Sequence, residues 1–463
     1  MSYKIFFRSD FKLKDIRIKY QDNQEDIKID LFSEDIGSNV FLYLNNKNVD
    51  NGGLILDNNY IIKLKLENNK FYPTINVVFK DPNKIVGNWL YPDDDTILSF
   101  FKKSYSNLLM PIRIDFVITE FRIVKELSDE TATIYSLNAM LNFNNITENI
   151  AYNGTSFSVL QQIAKKAKLG FASNINNTND KMVWINPGNY LSEFIPDIVK
   201  NSYKDDGSFL WTFIDLYYNL NYVNVEDQLN QNTFEQKNIF NFLRYDKSGK
   251  EKISDLLLTN HPNLIGSNMY FDKYIATNNS RDINWKIGYE SDIYYYNRSE
   301  NSVVKNKLDI ISDSYDSNNI SMQSLNKSDN NRRYHMGKMD EDNVHANFLD
   351  ARKQNENNIE FLQKIKMNII LESPNMSLYR SQFVEVIIYD LNTLITEKKT
   401  DLNKTDSYRI NDKLSGSWLI SGINFVYEKG KSYQEITLVK RKLNKEYDKE
   451  KLDDITKYFY KNK

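Results

Sequence analysis

The chain has 463 residues, with 60 Lys plus Arg against 62 Asp plus Glu, a net charge of −2, no cysteine and three histidines. At roughly 100 to 200 residues per domain, this length implies two to four domains and a substantial apolar interior. Near-neutrality excludes a globally basic nucleic-acid binder; the lack of cysteine excludes disulfides, thiolate metal sites and cysteine nucleophiles, and three histidines leave little imidazole chemistry.

No apolar run is long enough to span a membrane, and Met1 to Phe11, with charges at Lys4, Arg8 and Asp10, lacks a signal-peptide core. The sequence therefore reads as soluble. Abundant Asn and scarce Ala match the codon bias of an AT-rich genome and blur propensity arguments.

The first 145 residues read as a β domain. Tyr3 to Arg8, Lys12 to Tyr20, Asp26 to Phe32, Val40 to Leu44, Tyr60 to Leu66, Ile75 to Phe79, Ile97 to Phe101, Ile112 to Val124 and Thr131 to Leu141 are short apolar or alternating runs. Asn, Asp and Gly turns such as Asn51-Gly52-Gly53 separate them, which suggests a barrel or sandwich.

At Asn153-Gly154-Thr155-Ser156 the period changes. Phe157, Leu160, Ile163, Ala164 and Ala167 fall on one helical face, with Gly170 as a stop. A strand over Met182 to Ile185 follows, then a stripe from Tyr190 to Val199 in which Pro196 either falls in the first turn or kinks the helix. The spacing of Phe209, Leu210, Phe213, Ile214, Tyr217 and Leu220 predicts a third helix, capped by Ser208.

Gln228 to Tyr296 is strand-like, and Asn297 to Asn343 reads as a polar loop or insertion. Val344 to Leu362 brackets a helix whose polar middle, Arg352 to Asn358, suits an element that projects or rests on a surface. A second β block comprises Ile365 to Leu371, Phe383 to Tyr389, Trp418 to Tyr427 and Glu435 to Lys440, the last pair a hairpin around Gly430. In the tail, Leu452, Ile455, Tyr458 and Phe459 have helical spacing and are expected at a partner or subunit contact. The division is 1–145, a first β domain; 146–343, an α/β middle domain with the insertion; 344–442, a helix plus second β domain; and 443–463, an amphipathic tail. The class is β-rich α+β.

No constellation for catalysis emerges. His261, His335 and His345 belong to no ligand cluster, so no metal is assigned. Asp93-Asp94-Asp95 reads as an exposed turn, and Asp205-Asp206 suits the positive end of the expected third helix. Neither a phosphate-binding Gly loop nor a Gly-x-Ser-x-Gly elbow occurs, and no cofactor is assigned. Tyr217-Tyr218 and Tyr294-Tyr295-Tyr296 read as core or interface, with a platform for stacking sugars or bases as the competing reading. Lys440-Arg441-Lys442 reads as a strand end.

Four segments carry a family resemblance. Gly154-Thr155-Ser156-Phe157-Ser158-Val159-Leu160-Gln161-Gln162-Ile163-Ala164 resembles the helix that follows the first barrel in central hub proteins of contractile phage tails, shared with type VI secretion spike proteins. Val183 to Pro187, Phe194 to Ile198 and Ser208 to Trp211 resemble the middle segment of that family. Lys366 to Pro374 with Phe383 to Val386, and Gly416 to Ile423 with Gln434 to Val439, resemble strands of its second barrel and closing hairpin; 228–343 is unmatched.

The resemblance implies two tube-type β-barrel domains around an α/β middle, no enzyme activity, and a baseplate hub in the virion tail, assembled in the host cytoplasm. It implies a homotrimeric pseudo-six-fold ring joining a trimeric spike protein to a hexameric tail tube beside other baseplate proteins, with DNA passing through the lumen without specific binding. The competing readings are a carbohydrate- or receptor-binding β protein of the virion surface, and a glycoside hydrolase using paired carboxylates.

Overall fold

A computed structural model describes residues 4–7, 18–19, 26–27, 40–46, 53–56, 58–81, 86, 96–102, 112–124, 133–229, 257–267, 269–280, 282, 290–297, 301–308, 332–338, 344–376, 378–389, 410–428, 430–441 and 443. The chain is β-rich α+β, as its patterning implies.

The first strands are β1 (Lys4–Phe7), β2 (Ile18–Lys19), β3 (Asp26–Ile27), β4 (Val40–Asn46), β5 (Gly53–Leu56), β6 (Ile61–Asn68), β7 (Thr74–Asp81), β8 (Thr96–Lys102), β9 (Ile112–Val124) and β10 (Thr133–Leu141). Seven run antiparallel in the order β6-β7-β10-β9-β8-β4-β5. In β7 the residues Ile75, Val77, Phe79 and Asp81 are buried and alternate with half-exposed ones. A one-residue slip would turn that apolar row outward, so the pattern pins the register. Leu64, Leu98, Phe100, Ile114, Phe116 and Leu137 complete the interior.

The middle contains β11 (Thr147–Gly154), α1 (Ser156–Lys166), β12 (Gly170–Ser173), β13 (Met182–Tyr190), α2 (Leu191–Lys200), β14 (Leu210–Ile214), β15 (Asn219–Asn224) and α3 (Val225–Leu229). Its sheet has the order β1-β12-β15-β14, so the N-terminal strand pairs here rather than with the strands that follow it; β11 and β13 form a separate ribbon. The α1 helix starts where its sequence predicts, with Thr155 as N-cap accepting from Ser158 N–H at 3.3 Å. The left-handed residue after it is Lys168 (φ 59°), while Gly170 already opens β12. Pro196 lies in the second turn of α2, beyond the first turn.

The helix expected over Ser208 to Leu220 is instead β14, a turn and β15. Both strands are buried on both faces, so their apolar residues do not alternate and can imitate helical spacing. Asp215 makes the turn: its Oδ1 accepts the N–H of Tyr217 (2.8 Å) and Asn219 (2.9 Å), and Tyr218 takes φ 60°. Asp205 and Asp206 therefore precede a strand and serve no helix dipole; Asp205 closes its own turn onto Gly207 N–H (3.1 Å).

The remaining elements are β16 (Leu257–Thr259), β17 (Phe271–Asn278), β18 (Glu290–Asn297), β19 (Ser302–Leu308), β20 (Arg332–Lys338), α4 (Phe348–Leu362), β21 (Ile365–Leu371), β22 (Phe383–Ile387), β23 (Gly416–Glu428) and β24 (Lys431–Lys440). The expected polar loop carries two strands, since β19 and β20 flank β18 in a three-stranded sheet. Backbone pairing needs no apolar composition, which is why composition alone reads this segment as loop.

The second β block runs β17-β21-β24-β23-β22-β16. A single bridge, Thr259 to Tyr270, with Thr259 N–H donating to Met269 O at 2.9 Å, leads from β16 back toward β17. Among the described residues no strand ladder closes either block as a barrel. The blocks share one sheet through β23: Gly416 to Leu419 pair with β22, and Ile423 to Glu428 pair with β6.

The predicted hairpin β23–β24 is present, with Gly430 at φ 79°. In α4 the polar middle rests on α2 rather than projecting: Gln354, Asn355 and Asn358 are all below a tenth exposed, while Arg352 and Glu356 face outward. Asn355 Nδ2 donates to the carbonyls of Val199, Lys200 and Ser202 (2.9–3.2 Å), satisfying the C-terminal end of α2. The Asp93–Asp95 run and the tail residues Leu452, Ile455, Tyr458 and Phe459 lie outside the described residues.

Candidate functional site

The chemically richest place is the joint where the two β blocks and the middle sheet meet. It is built around residues 379 and 380, in the connection from β21 to β22, each of which reaches a different neighbour.

Tyr379 plugs into the middle sheet. Its hydroxyl donates to Asp215 Oδ2 at 2.5 Å. Asp215 is fully buried and also accepts from Asn219 Nδ2 (3.1 Å) and Asn221 Nδ2 (3.1 Å), besides the two turn N–H groups. With five donors around it the carboxylate needs no cation, because charge-assisted hydrogen bonds replace its lost hydration.

Arg380 is 4% exposed and ties all three bodies together. Its Nε donates to Ser421 O (2.8 Å) in β23, its Nη2 to Asn69 O (3.2 Å), and its Nη1 to Lys70 O in the β6–β7 turn. The guanidinium also lies over Trp211 and Phe213 of β14, 4.8 and 4.6 Å from their ring centroids. Burial pushes its pKa down from the ordinary value.

Three further contacts reinforce the joint. Tyr218 Oη accepts Asp115 N–H at 2.7 Å, linking the middle sheet to β9; burial, with the Asp115 charge adding, pushes this phenol far above its ordinary value. Arg441 pairs with Glu226 and lies 3.3 Å from Asn358 Oδ1, which makes the end of β24 a packed strand end. Gly422, beside the β23 bulge, lies against the β6–β7 turn; a Cβ there would stand 2.8 Å from Asn69 Cβ.

Two of the histidines serve packing. His345 is buried, donates from Nε2 to Asn201 O (2.8 Å) and packs against Trp184, Tyr203 and Phe348. His261 meets Tyr389 edge-on at 4.8 Å. Among the described residues no cluster of His, Cys, Asp and Glu could hold a metal ion, and no helix is long and apolar enough to cross a membrane. Tyr217 is buried at the turn, and Tyr296 is 40% exposed and donates to Asn301.

Sequence reasoning missed Tyr379, Arg380 and Asp215. Asp215 carried a signal, an acid inside the apolar run Phe213-Ile214-Asp215-Leu216; Arg380, in a polar stretch, carried none.

The fold is similar to that of a solved phage tail protein. The chain resembles the 43 kDa tail protein of prophage MuSo2 from Shewanella oneidensis at TM-score 0.51 and 11% identity, covering 87% of this chain and 99% of that one. A tail protein from Neisseria meningitidis MC58 aligns at TM-score 0.49 and 10% identity, covering 87% and 96%. The E. coli c3393 protein, a type VI secretion component similar to T4 tail proteins, aligns at TM-score 0.37 and 11% identity, covering 84% and 75%. No protein-family model and no curated protein sequence matches the chain.

Proposed function

We propose that the chain is a structural baseplate hub of a contractile tail: a homotrimer that joins a trimeric spike to a hexameric tail tube and starts tube assembly. The observation that carries this reading is the fold, shared over nearly the whole length of a prophage tail protein despite 11% identity. The division at 1–145, 146–343, 344–442 and 443–463 would supply two tube-type units per chain, six per trimer, around a lumen through which DNA passes.

Two features support the reading. The β5 and β17 ends of the long sheet lack a further partner ladder among the described residues, and Ile275 on β17 is 68% exposed. Such edges invite pairing, and a closed ring of copies covers them. The joint at Arg380 also welds the blocks, which suits a part that transmits load without chemistry.

Native mass spectrometry tests the proposal. The expected result is a trimer of the 54.6 kDa chain, with capture of a trimeric spike protein and a tail tube protein. A chain that stays monomeric in the presence of both, or a saturable glycan-array signal from the Tyr294 to Tyr296 strand, would overturn it. Truncation after Lys442 is expected to weaken ring formation or partner capture through loss of Leu452, Ile455, Tyr458 and Phe459.

A further inference from the structure

A cleft of about 520 Å³ opens at the joint, between the β6–β7 turn, β14, α4 and the paired strands β21 and β24. Its charge is one-sided. Lys70, Lys200, Lys366 and Arg380 line it, and no Asp or Glu among the described residues does. The whole chain is balanced, with 60 cations against 62 acids, so this is a local segregation.

Several cations elsewhere are ion-paired. Lys65 pairs with Glu67 and Glu435, Lys166 with Glu148, Lys204 with Asp205, Arg113 with Asp115 and Arg441 with Glu226. None of the four cleft cations forms an ion pair among the described residues. For Arg380 this is notable energetically, since a buried guanidinium without a carboxylate relies on carbonyls and ring faces alone to replace its hydration. Three of its five N–H donors reach carbonyls, which leaves two for another acceptor.

The cleft also exposes one unit of strand edge. β14 ends its sheet. Leu210 N–H turns away from β15 to Asn355 Oδ1 (3.2 Å), and Ile214 N–H turns away to Phe71 O (2.6 Å). Thr212 lies between them with the same parity, so its N–H and C=O face the open side, and Thr212 lines the cleft.

We propose that this cleft receives an extended acidic segment of a partner polypeptide. Its carboxylates pair with Arg380, Lys70, Lys200 and Lys366, and one of its peptide units pairs with Thr212. A strand-like guest offers the matching N–H and C=O that a polyphosphate lacks, and the walls at Val199, Leu210, Ile359 and Val439 suit short apolar side chains between the acids. This inference does not depend on the hub reading, because it rests on the cleft alone.

The test is fluorescence anisotropy of the full chain with a labelled Glu-Val-Glu-Val-Glu-Val peptide at low salt. Saturable binding is expected, weakened at least about tenfold by Lys70→Glu with Lys366→Glu. Both side chains reach solvent, and an unchanged melting curve will show that the fold is kept. The same peptide N-methylated at its third and fourth residues should also bind more weakly, since its middle cannot donate to Thr212. Absence of saturable binding, equal binding by the charge-reversed variant, or preferential binding of a dT oligonucleotide would overturn the proposal. Equal binding of the N-methylated peptide would overturn its strand-pairing element.

Discussion

The first β block and the joint are held by opposite means. Between β6 and β10 the cluster of Leu64, Val77, Phe79, Phe100, Ile114, Phe116 and their neighbours is aliphatic or aromatic and almost wholly buried, with polar groups such as Asp81 and Lys102 kept to the strand ends. At the joint the buried groups are Asp215, Asn219, Asn221, Tyr379 and Arg380, each held by named hydrogen bonds. A hydrophobic interior responds to volume, because dispersion and burial are non-directional. A polar joint responds to which atom donates and which accepts, because an unmet buried partner costs its full desolvation.

The difference can be broken by isosteric changes. Asp215→Asn conserves volume but turns an acceptor into a donor facing two amide N–H groups and a phenol; it is expected to cost about 3 kcal/mol, read as a lower calorimetric melting temperature. Arg380→Lys keeps the charge but not the fork that spans three carbonyls, for an expected loss of about 2 kcal/mol, with faster limited proteolysis between the blocks. In the first block Leu64→Met changes shape at nearly constant volume and should cost about 1 kcal/mol or less. If Leu64→Met proved as damaging as Asp215→Asn, the contrast would fail.

The smallest expected effect is pH dependence. Burial lowers Lys102, in the first block, and Lys364, after α4, to about 8 from 10.5, with Arg441 adding at Lys364. Between these values the unfolded chain binds more protons than the folded one, so stability should rise from about pH 8 to pH 9.5 by at most about 2 kcal/mol per lysine. Above pH 10 the sign reverses: burial holds Tyr203 up at about 12 and pushes Tyr218 and Tyr222 higher still, so the unfolded chain loses phenolic protons first. Thermal melts across this range should show a shallow maximum; a steady fall from pH 8 would contradict the lysine term.

Elements whose pattern comes from one solvent-facing side were legible from residues alone. The strand Ile112 to Val124, the capped helix at Thr155 and the hairpin at Gly430 all appear where their patterning places them. Where both sides are covered the period disappears, which is why β14 and β15 imitate a helix. The polar middle of α4 left projecting and resting on a surface both open for a related reason: Asn355 is buried because the carbonyls at the end of α2 wait for it, a demand set 153 to 156 residues away.

By itself, then, the sequence determined the β-rich class, the alternating interior of the first block and the absence of thiol chemistry, since each follows from local period or residue inventory. Only the tertiary structure decided that β1 pairs with β12, that β23 fuses the two blocks into one sheet, and that Tyr379, Arg380 and Asp215 converge. The physical reason is distance along the chain. Arg380 meets Asn69 across 311 positions and Tyr379 meets Asp215 across 164, and no periodicity encodes a hydrogen bond whose partner lies in another block.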